Sequence, residues 1–490
     1  MTDAARIVPN RPPKTLREQV RSAVIWRSGT QIAGQMVAWV STFLVIRILS
    51  PGDYGLFAMA QVVLGLLNML NGYGLANALI QRADVDRRAK RQLFGMLIVL
   101  NFGLGALQFI SAPLAAAYFR QPEVTQLLRV LSVLYLATPF IAFPYALLAR
   151  EMDFRVQATA NFISALVGAA TALSGAMLGW GVWTLVAAPI ALFTTRAIGM
   201  TIGARAWMWP SFDFRGAADM ARYGGLMAAG QFFWFLQSQA DVFIAGRFLD
   251  AHWLGLYTTS LFLTQILVAK FVPPINDVAF SAYARIHNDR ASVAAPFLTG
   301  LRTIMIVALP CYFGLAVTAH ELVAVVLGPK WIAAAPIVAT LALAMPFMTM
   351  QVLFSPACDA VGRPQITLRM SMIGAITLTI GFLVGVQWGV TGLAASWLVS
   401  YPLYFALSAR MVLPVIGVGM RDILVAIRAP LLGSLAMACA ILVLQRQLAP
   451  LPPALDLIVH VATGGAVYAA WLIAFARPLL IDTWRLVRAR

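Results

Sequence analysis

Polar residues in this chain come in short groups that punctuate long apolar runs. A helix needs about 20 apolar residues to cross the hydrocarbon core of a bilayer. Fourteen runs are of that order: about 23–46, 56–79, 93–118, 125–148, 158–179, 182–204, 224–246, 255–280, 298–319, 334–357, 368–386, 390–409, 427–446 and 455–476. The pattern predicts an all-α membrane protein of about fourteen transmembrane helices. A basic tail over 1–22 leads into six helices over 23–204. A polar connection over 205–222 precedes six more over 223–410. Residues 411–490 hold two additional helices and a second basic tail.

The two groups of six echo each other. Arg47-Ile48-Leu49-Ser50-Pro51-Gly52-Asp53-Tyr54-Gly55-Leu56-Phe57 is answered by Arg247-Phe248-Leu249-Asp250-Ala251-His252-Trp253-Leu254-Gly255-Leu256-Tyr257, an offset of 247 − 47 = 200. Ala137-Thr138-Pro139-Phe140 recurs as Ala344-Met345-Pro346-Phe347, an offset of 346 − 139 = 207. Trp180-Gly181-Val182 recurs as Trp388-Gly389-Val390, an offset of 388 − 180 = 208. Short apolar strings recur by accident, but three in one order with so small a drift point to a duplicated half. Parallel repeats of hydrophobic helices are a common transporter plan. The expected layout is two pseudo-symmetric six-helix lobes around a central cavity.

Composition agrees with lipid as the solvent. Of 490 residues, 61% are hydrophobic and 11% charged, against roughly 25% charged in soluble domains. The net charge of +17 comes from bases scattered between apolar runs, with no nucleic-acid-binding motif around them. Lys and Arg concentrate in alternate connections: Arg82 to Arg91, Arg150, Arg155, Arg205, Arg215, Arg222, Arg285, Arg290, Arg363, Arg369, Arg410, Arg421 and Arg428, besides both tails. By the positive-inside rule both termini are cytoplasmic. The first apolar run lacks a cleavage site and reads as a retained span. Cys311, Cys358 and Cys439 make no ligand or disulfide pattern, and the four histidines are scattered, so no metal site or cofactor is expected.

Charges and amides in lipid are costly and face a bundle interior or a wet cavity. Arg27, Gln31, Gln35 and Thr42 share one helical face. Gln61, Asn68 and Asn71 follow in the second span. Gln231, Ser238 and Asp241 share a face of the seventh, and Ser260, Thr264 and Lys270 mark the eighth. The polar faces thus lie in the first two helices of each half, where a central cavity is expected. Arg27 and Lys270 fall in the cytoplasmic half of their spans. Either they bind an anionic head group such as a diphosphate, or they snorkel to the interface. Gln31, Gln35, Asn68 and Gln231 either hydrogen-bond sugar hydroxyls or hold helices together. Asp241 either exchanges H⁺ or Na⁺ to couple transport to a gradient, or pairs structurally. Arg47 and Arg247, at matched helix ends, read as turn caps. Arg196 and Arg302 read as snorkelling. Pro139, Pro144, Pro273, Pro274, Pro310, Pro346 and Pro356 mark kinks suited to hinges.

The string from Arg47 to Phe57, with Gly74-Leu75-Ala76-Asn77-Ala78-Leu79-Ile80-Gln81-Arg82, Asp241-Val242-Phe243-Ile244-Ala245-Gly246-Arg247 and Leu327-Gly328-Pro329-Lys330-Trp331, resembles the polysaccharide transporters of the multidrug/oligosaccharidyl-lipid/polysaccharide exporter superfamily. It is most similar to the Wzx-type O-unit flippases, colanic acid exporter branch, over roughly 20–410. The resemblance implies a V-shaped cavity between lobes. It implies an undecaprenyl-diphosphate-linked oligosaccharide as cargo, moved across a bacterial inner membrane for exopolysaccharide, capsule or O-antigen synthesis. A polysaccharide polymerase and co-polymerase are the partners it implies.

Three rivals stand beside a flippase. A cation-coupled drug exporter of the same superfamily would show acidic residues deep in its cavity, where this chain shows basic ones. A glycan polymerase or ligase would show a large outer loop with paired carboxylates or arginines, and no connection here is long enough. A non-transporting scaffold for glycan assembly is compatible with the sequence.

Overall fold

The computed structural model describes residues 33–71, 75, 79, 86–151, 154–214, 218–284, 291–449 and 451–477, with backbone alone at 218–231, 234, 271–284 and 291–292. Arg27 and Gln31 lie outside these residues, as do the side chains of Gln231, Pro273 and Pro274. Among the described residues all regular structure is helical. In chain order the helices are α1 (Ala33–Ile48), α2 (Pro51–Asn68), α3 (Arg87–Phe119), α4 (Glu123–Arg150), α5 (Phe154–Met177) and α6 (Val182–Gly203). The second half supplies α7 (Ala218–Phe248), α8 (Ala251–Ala284), α9 (Ala291–Val317), α10 (Pro329–Ala360), α11 (Pro364–Gly385) and α12 (Gly389–Ile416). Then come α13 (Met420–Gln447) and α14 (Pro453–Phe475).

Nine stretches of the described residues are long and apolar enough to cross a membrane, one of them covering α11 and α12 together. Their outward side chains, among them Ile110, Leu114, Val399 and Phe475, are largely exposed. Such surface is unfavourable in water and matched to lipid tails.

Helix starts follow local capping chemistry and so lie outside the apolar runs. Ser50 accepts from the Asp53 amide while the Asp53 carboxylate accepts from the Ser50 amide. This capping box, with Pro51 at the first helical position, starts α2 at 51, a polar turn before hydropathy alone would place it. Asp250 caps α8 through the Trp253 amide at 2.8 Å, and Asp86 caps α3 through the Ala89 amide at 2.7 Å. α4 is broken into three segments, at Ser132 and before Pro139, where proline cannot donate to the preceding turn. α8 continues as helix through Pro273 and Pro274.

The halves meet along α2 and α8, which pack closely against each other. At their crossing a Cβ on Gly55 would overlap the Ala251 carbonyl, and one on Gly255 would overlap the Pro51 carbonyl. The two contacts are reciprocal at an offset of 200: 251 − 51 and 255 − 55. Glycine is required because backbone packs directly on backbone. The arginine echo is reciprocal too. Arg47 Nη1 donates to the Val325 carbonyl at 2.9 Å, and Arg247 Nη1 donates to the Tyr118 carbonyl at 2.8 Å. The acceptors are 325 − 118 = 207 apart, the offset already carried by the Pro139/Pro346 pair. Each arginine reaches from the end of one half into the other.

The segment after α9 completes this junction. A π-helical turn, Val323–Leu327, ends at Gly328 with φ 95°. Trp331 Nε1 then donates to the Ile46 carbonyl at 2.8 Å and Lys330 Nζ to the Ile48 carbonyl at 2.7 Å. These carbonyls end α1 and have no partner within it. The Leu-Gly-Pro-Lys-Trp string is therefore a cap supplied by the second half to the first.

The connection between the halves docks on α3. Ser211 donates to the Arg91 carbonyl at 2.9 Å, Gln92 Nε2 to the Asp213 carbonyl at 2.7 Å, and Arg88 pairs with Asp213 at 2.9 Å.

Val in place of Gly55 or Gly255 forces backbone apart at the crossing. Each change is expected to cost roughly 3 kcal/mol or more, read as a lowered thermal midpoint of the detergent-purified protein. Valine at Gly103, where a Cβ meets open space, serves as the neutral control.

Candidate functional site

Two cavities flank α1. The first, about 370 Å³, lies near the α1–α2 turn and is lined by Ser41, Thr42, Tyr54, Phe57, Gln61 and Thr258, with Pro189 and Phe262 among its apolar walls. The second, about 380 Å³, lies further along α1, between α1, α5 and α6. Its polar lining is Gln35, Gln157, Asn161 and Arg196. Gln35 stands 48 − 35 = 13 residues from the end of α1, about 20 Å at 1.5 Å per residue. Arg196 stands 196 − 182 = 14 residues from the start of α6, about 21 Å. The two are therefore at one depth, well inside the bundle. Arg196, read from sequence as a snorkelling residue, instead lines this cavity, its guanidinium 5.8 Å from the Phe193 ring centroid.

Lys270 joins this site from the other half. Its Nζ donates to Gln35 Oε1 at 2.9 Å, and the side chain is otherwise exposed. Gln35 thus touches a cation on α8 while lining the cavity that Arg196 enters. Two cations from opposite halves and three amides from α1 and α5 are assembled in one region. Of the sequence candidates, Gln35 and Lys270 are brought together. Asn68 is half-buried in the last turn of α2 and lines neither cavity. Gln157, Asn161 and Arg196 were not singled out as cavity residues, because α5 and α6 have no continuous polar face to advertise them.

Asp241 is placed differently. It is buried in α7, and its Oδ2 accepts from Tyr257 Oη at 2.8 Å. Tyr257 Oη in turn accepts from Trp397 Nε1 at 2.8 Å, and Trp397 stacks on Tyr401 with centroids 4.7 Å apart. The chain of donors runs from α12 through α8 to α7, while Asp241 Oδ1 is buried without a hydrogen-bond partner. At the offsets of the repeat the first half has Ser41 (241 − 200), Phe57 (257 − 200) and Pro189 (397 − 208). All three line the 370 Å³ cavity. One half holds a buried polar network where the other holds open space.

The family model for polysaccharide biosynthesis proteins matches residues 44–336, more than half of the chain. Among curated relatives, the succinoglycan biosynthesis transport protein ExoT of Rhizobium meliloti is 26% identical over 99% of this chain and 98% of its own length. The lipopolysaccharide biosynthesis protein WzxC of Escherichia coli is 23% identical over 75% of this chain and 79% of its own. Among solved structures, the lipid II flippase MurJ in an inward closed conformation superposes with a TM-score of 0.76 at 14% identity, covering 93% of this chain and 100% of that one. An inward-facing multidrug resistance MATE transporter gives 0.57 at 16% identity, over 80% of this chain and 98% of that one. At these identities the structural likeness speaks to fold. The chain carries the fold of a multi-pass membrane transporter, and by its matched residues it belongs to the polysaccharide biosynthesis protein family.

Proposed function

We propose that the protein is a transporter that flips diphosphate-linked oligosaccharide repeat units across a membrane for extracellular polysaccharide synthesis, the lipid carrier being undecaprenyl. The observation that carries the reading is Gln35, which accepts from Lys270 and lines one cavity with Arg196. Guanidinium and ammonium groups suit a diphosphate, and the adjoining amides of Gln157 and Asn161 suit sugar hydroxyls. The lipid tail stays in the bilayer, so the cavity need hold only the head group and first sugars. Arg27 and Gln31, outside the described residues, and Gln231, whose side chain is too, are added to the proposed site from the sequence pattern alone.

In this reading fourteen helices cross a bacterial inner membrane with both termini cytoplasmic. The helices over 23–204 and 223–410 form two lobes, and 411–490 adds two helices to the second. The α1–α2 and α7–α8 turns then face outward, and Gln35, Arg196 and Lys270 lie toward the cytoplasm, the leaflet where the cargo is made. A polymerase and co-polymerase would take the flipped unit. Asp241 is the proposed coupling residue: its unpartnered oxygen suits H⁺ or Na⁺, and the Trp397–Tyr257 chain fixes the other oxygen. Asp241→Asn is expected to abolish the dependence of export on the membrane ion gradient at unchanged protein level. Export that still tracks the gradient removes Asp241 from coupling.

Arg196→Gln and Lys270→Gln are each expected to lower polysaccharide export at least about tenfold, some 1.4 kcal/mol of recognition, with normal membrane insertion. Wild-type export by both variants would sink the cationic site.

The function itself is tested by lipid analysis in a strain lacking the protein. Completed diphosphate-linked repeat units should be trapped in the cytoplasmic leaflet. Single units accumulating on the outer leaflet would mean that flipping is intact and polymerisation has failed, which favours a scaffold or enzyme.

A further inference from the structure

Three ionisable side chains meet where α9 and α13 end and α14 begins, beside the π-helical turn. Glu321 follows α9, and Asp456 and His460 stand one turn apart on α14. Their ligand atoms lie within 4.8 Å of one another. Glu321 Oε1 is 3.6 Å from His460 Nδ1, and Asp456 Oδ1 is 3.7 Å from His460 Nε2. Both distances exceed the roughly 2.7–3.2 Å of a hydrogen bond. His460 is 1% exposed, and both of its ring nitrogens, together with Glu321 Oε2, are buried with no hydrogen-bond partner. Gln445 Nε2 holds Glu321 in place, donating to Oε1 at 3.2 Å and to the Val317 carbonyl at 3.0 Å.

Buried polar atoms nearly always have partners. Three orphans in one cluster, each of a type that ligates metals, point to an occupant. We propose that Glu321, Asp456 and His460 bind a divalent first-row transition metal ion, Zn²⁺ or Mn²⁺, the ions suited to one imidazole and two carboxylates. Ligand atoms around a tetrahedral ion with bonds near 2.1 Å stand about 3.4 Å apart. The carboxylates face opposite ring nitrogens, so closing on one ion requires the side chains to turn and draw a set now spread over as much as 4.8 Å to that separation. The ion takes one ring nitrogen with the carboxylates, and water completes its shell. Gln445 orients the glutamate from behind, as groups outside the coordination sphere commonly do.

The repeat supports a role specific to the second half. The counterpart of Glu321 is Leu114 (321 − 207), which is 73% exposed on the surface. A carboxylate stands at this position only where α13 and α14 cover it. The ion would tie α14 directly, and α13 through Gln445, to the end of α9. Sequence spacing gave no sign of it, since Glu321 and His460 are 460 − 321 = 139 residues apart.

The test uses the full chain, purified in detergent and stripped with chelator. Zn²⁺ or Mn²⁺ is added alone, unbound metal is removed by gel filtration, and bound metal is measured by mass spectrometry beside thermal unfolding. The wild type should retain one ion per chain, and its thermal midpoint should rise on metal addition. His460→Ala should lose both effects. Should that variant fail to fold, the near-isosteric double variant Glu321→Gln/Asp456→Asn decides, with loss of the ion and of the midpoint rise expected. A wild type that retains no ion, or a double variant that retains as much as the wild type, overturns the proposal.

Discussion

Backbone-to-backbone packing at the α2–α8 crossing is the constraint on which the two-half architecture rests. In lipid, apolar surface gains little from facing another helix instead of acyl chains, so association depends on close packing and hydrogen bonds. Gly55 and Gly255 supply the first by letting each helix lie on the other's opening turn. Arg47 and Arg247 supply the second by reaching carbonyls of the opposite half. Both contacts occur twice, once in each direction. This reciprocity is what an isologous interface between two copies would show, here written into one chain. The Lys330 and Trp331 bonds to α1 add a further link in the same region.

With the halves joined at the α1–α2 end, the polar cavity lies on the far side of the crossing. Lys270 and Gln35 meet across the halves at that depth, in a single exposed hydrogen bond. The contrast is physical. At the α2–α8 crossing itself, backbone packs on backbone and leaves no room for water. Deeper in, amides and a cation line open space, and Lys270 is exposed. A transporter needs both, because a fixed junction gives a hinge only if the groups beyond it are free to separate.

The repeat is followed closely at the junction and abandoned where the halves do different work. Ser41, Phe57 and Pro189 bound open space, while their counterparts Asp241, Tyr257 and Trp397 fill it with a hydrogen-bonded chain. Leu114 faces outward on the surface where Glu321 is covered by α14. Three of these departures add an ionisable side chain to the second half, Asp241 for Ser41, Tyr257 for Phe57 and Glu321 for Leu114, and that half also carries α13 and α14.

Hydropathy alone determined the helical class and approximate spans, since the length and composition of a membrane helix are set by the thickness of the bilayer. The repeat was legible because the crossing and its lashings constrain residue type: only glycine fits, and only a long cationic side chain spans the gap. Capping at Ser50 and Asp250 is local in the chain, but hydropathy does not register it, so α2 and α8 start before their apolar runs. What the sequence left open was decided by tertiary packing. Arg196 read as an interfacial arginine until α1 and α5 were placed beside it. Asp241 shared a helical face with Gln231 and Ser238, yet its surroundings depend on α8 and α12, contributed by residues far along the chain. Glu321 and His460 meet only because α14 returns against α9. Periodicity reports which face of a helix is polar. It does not report what stands opposite, because that neighbour is fixed by contacts between segments distant in sequence.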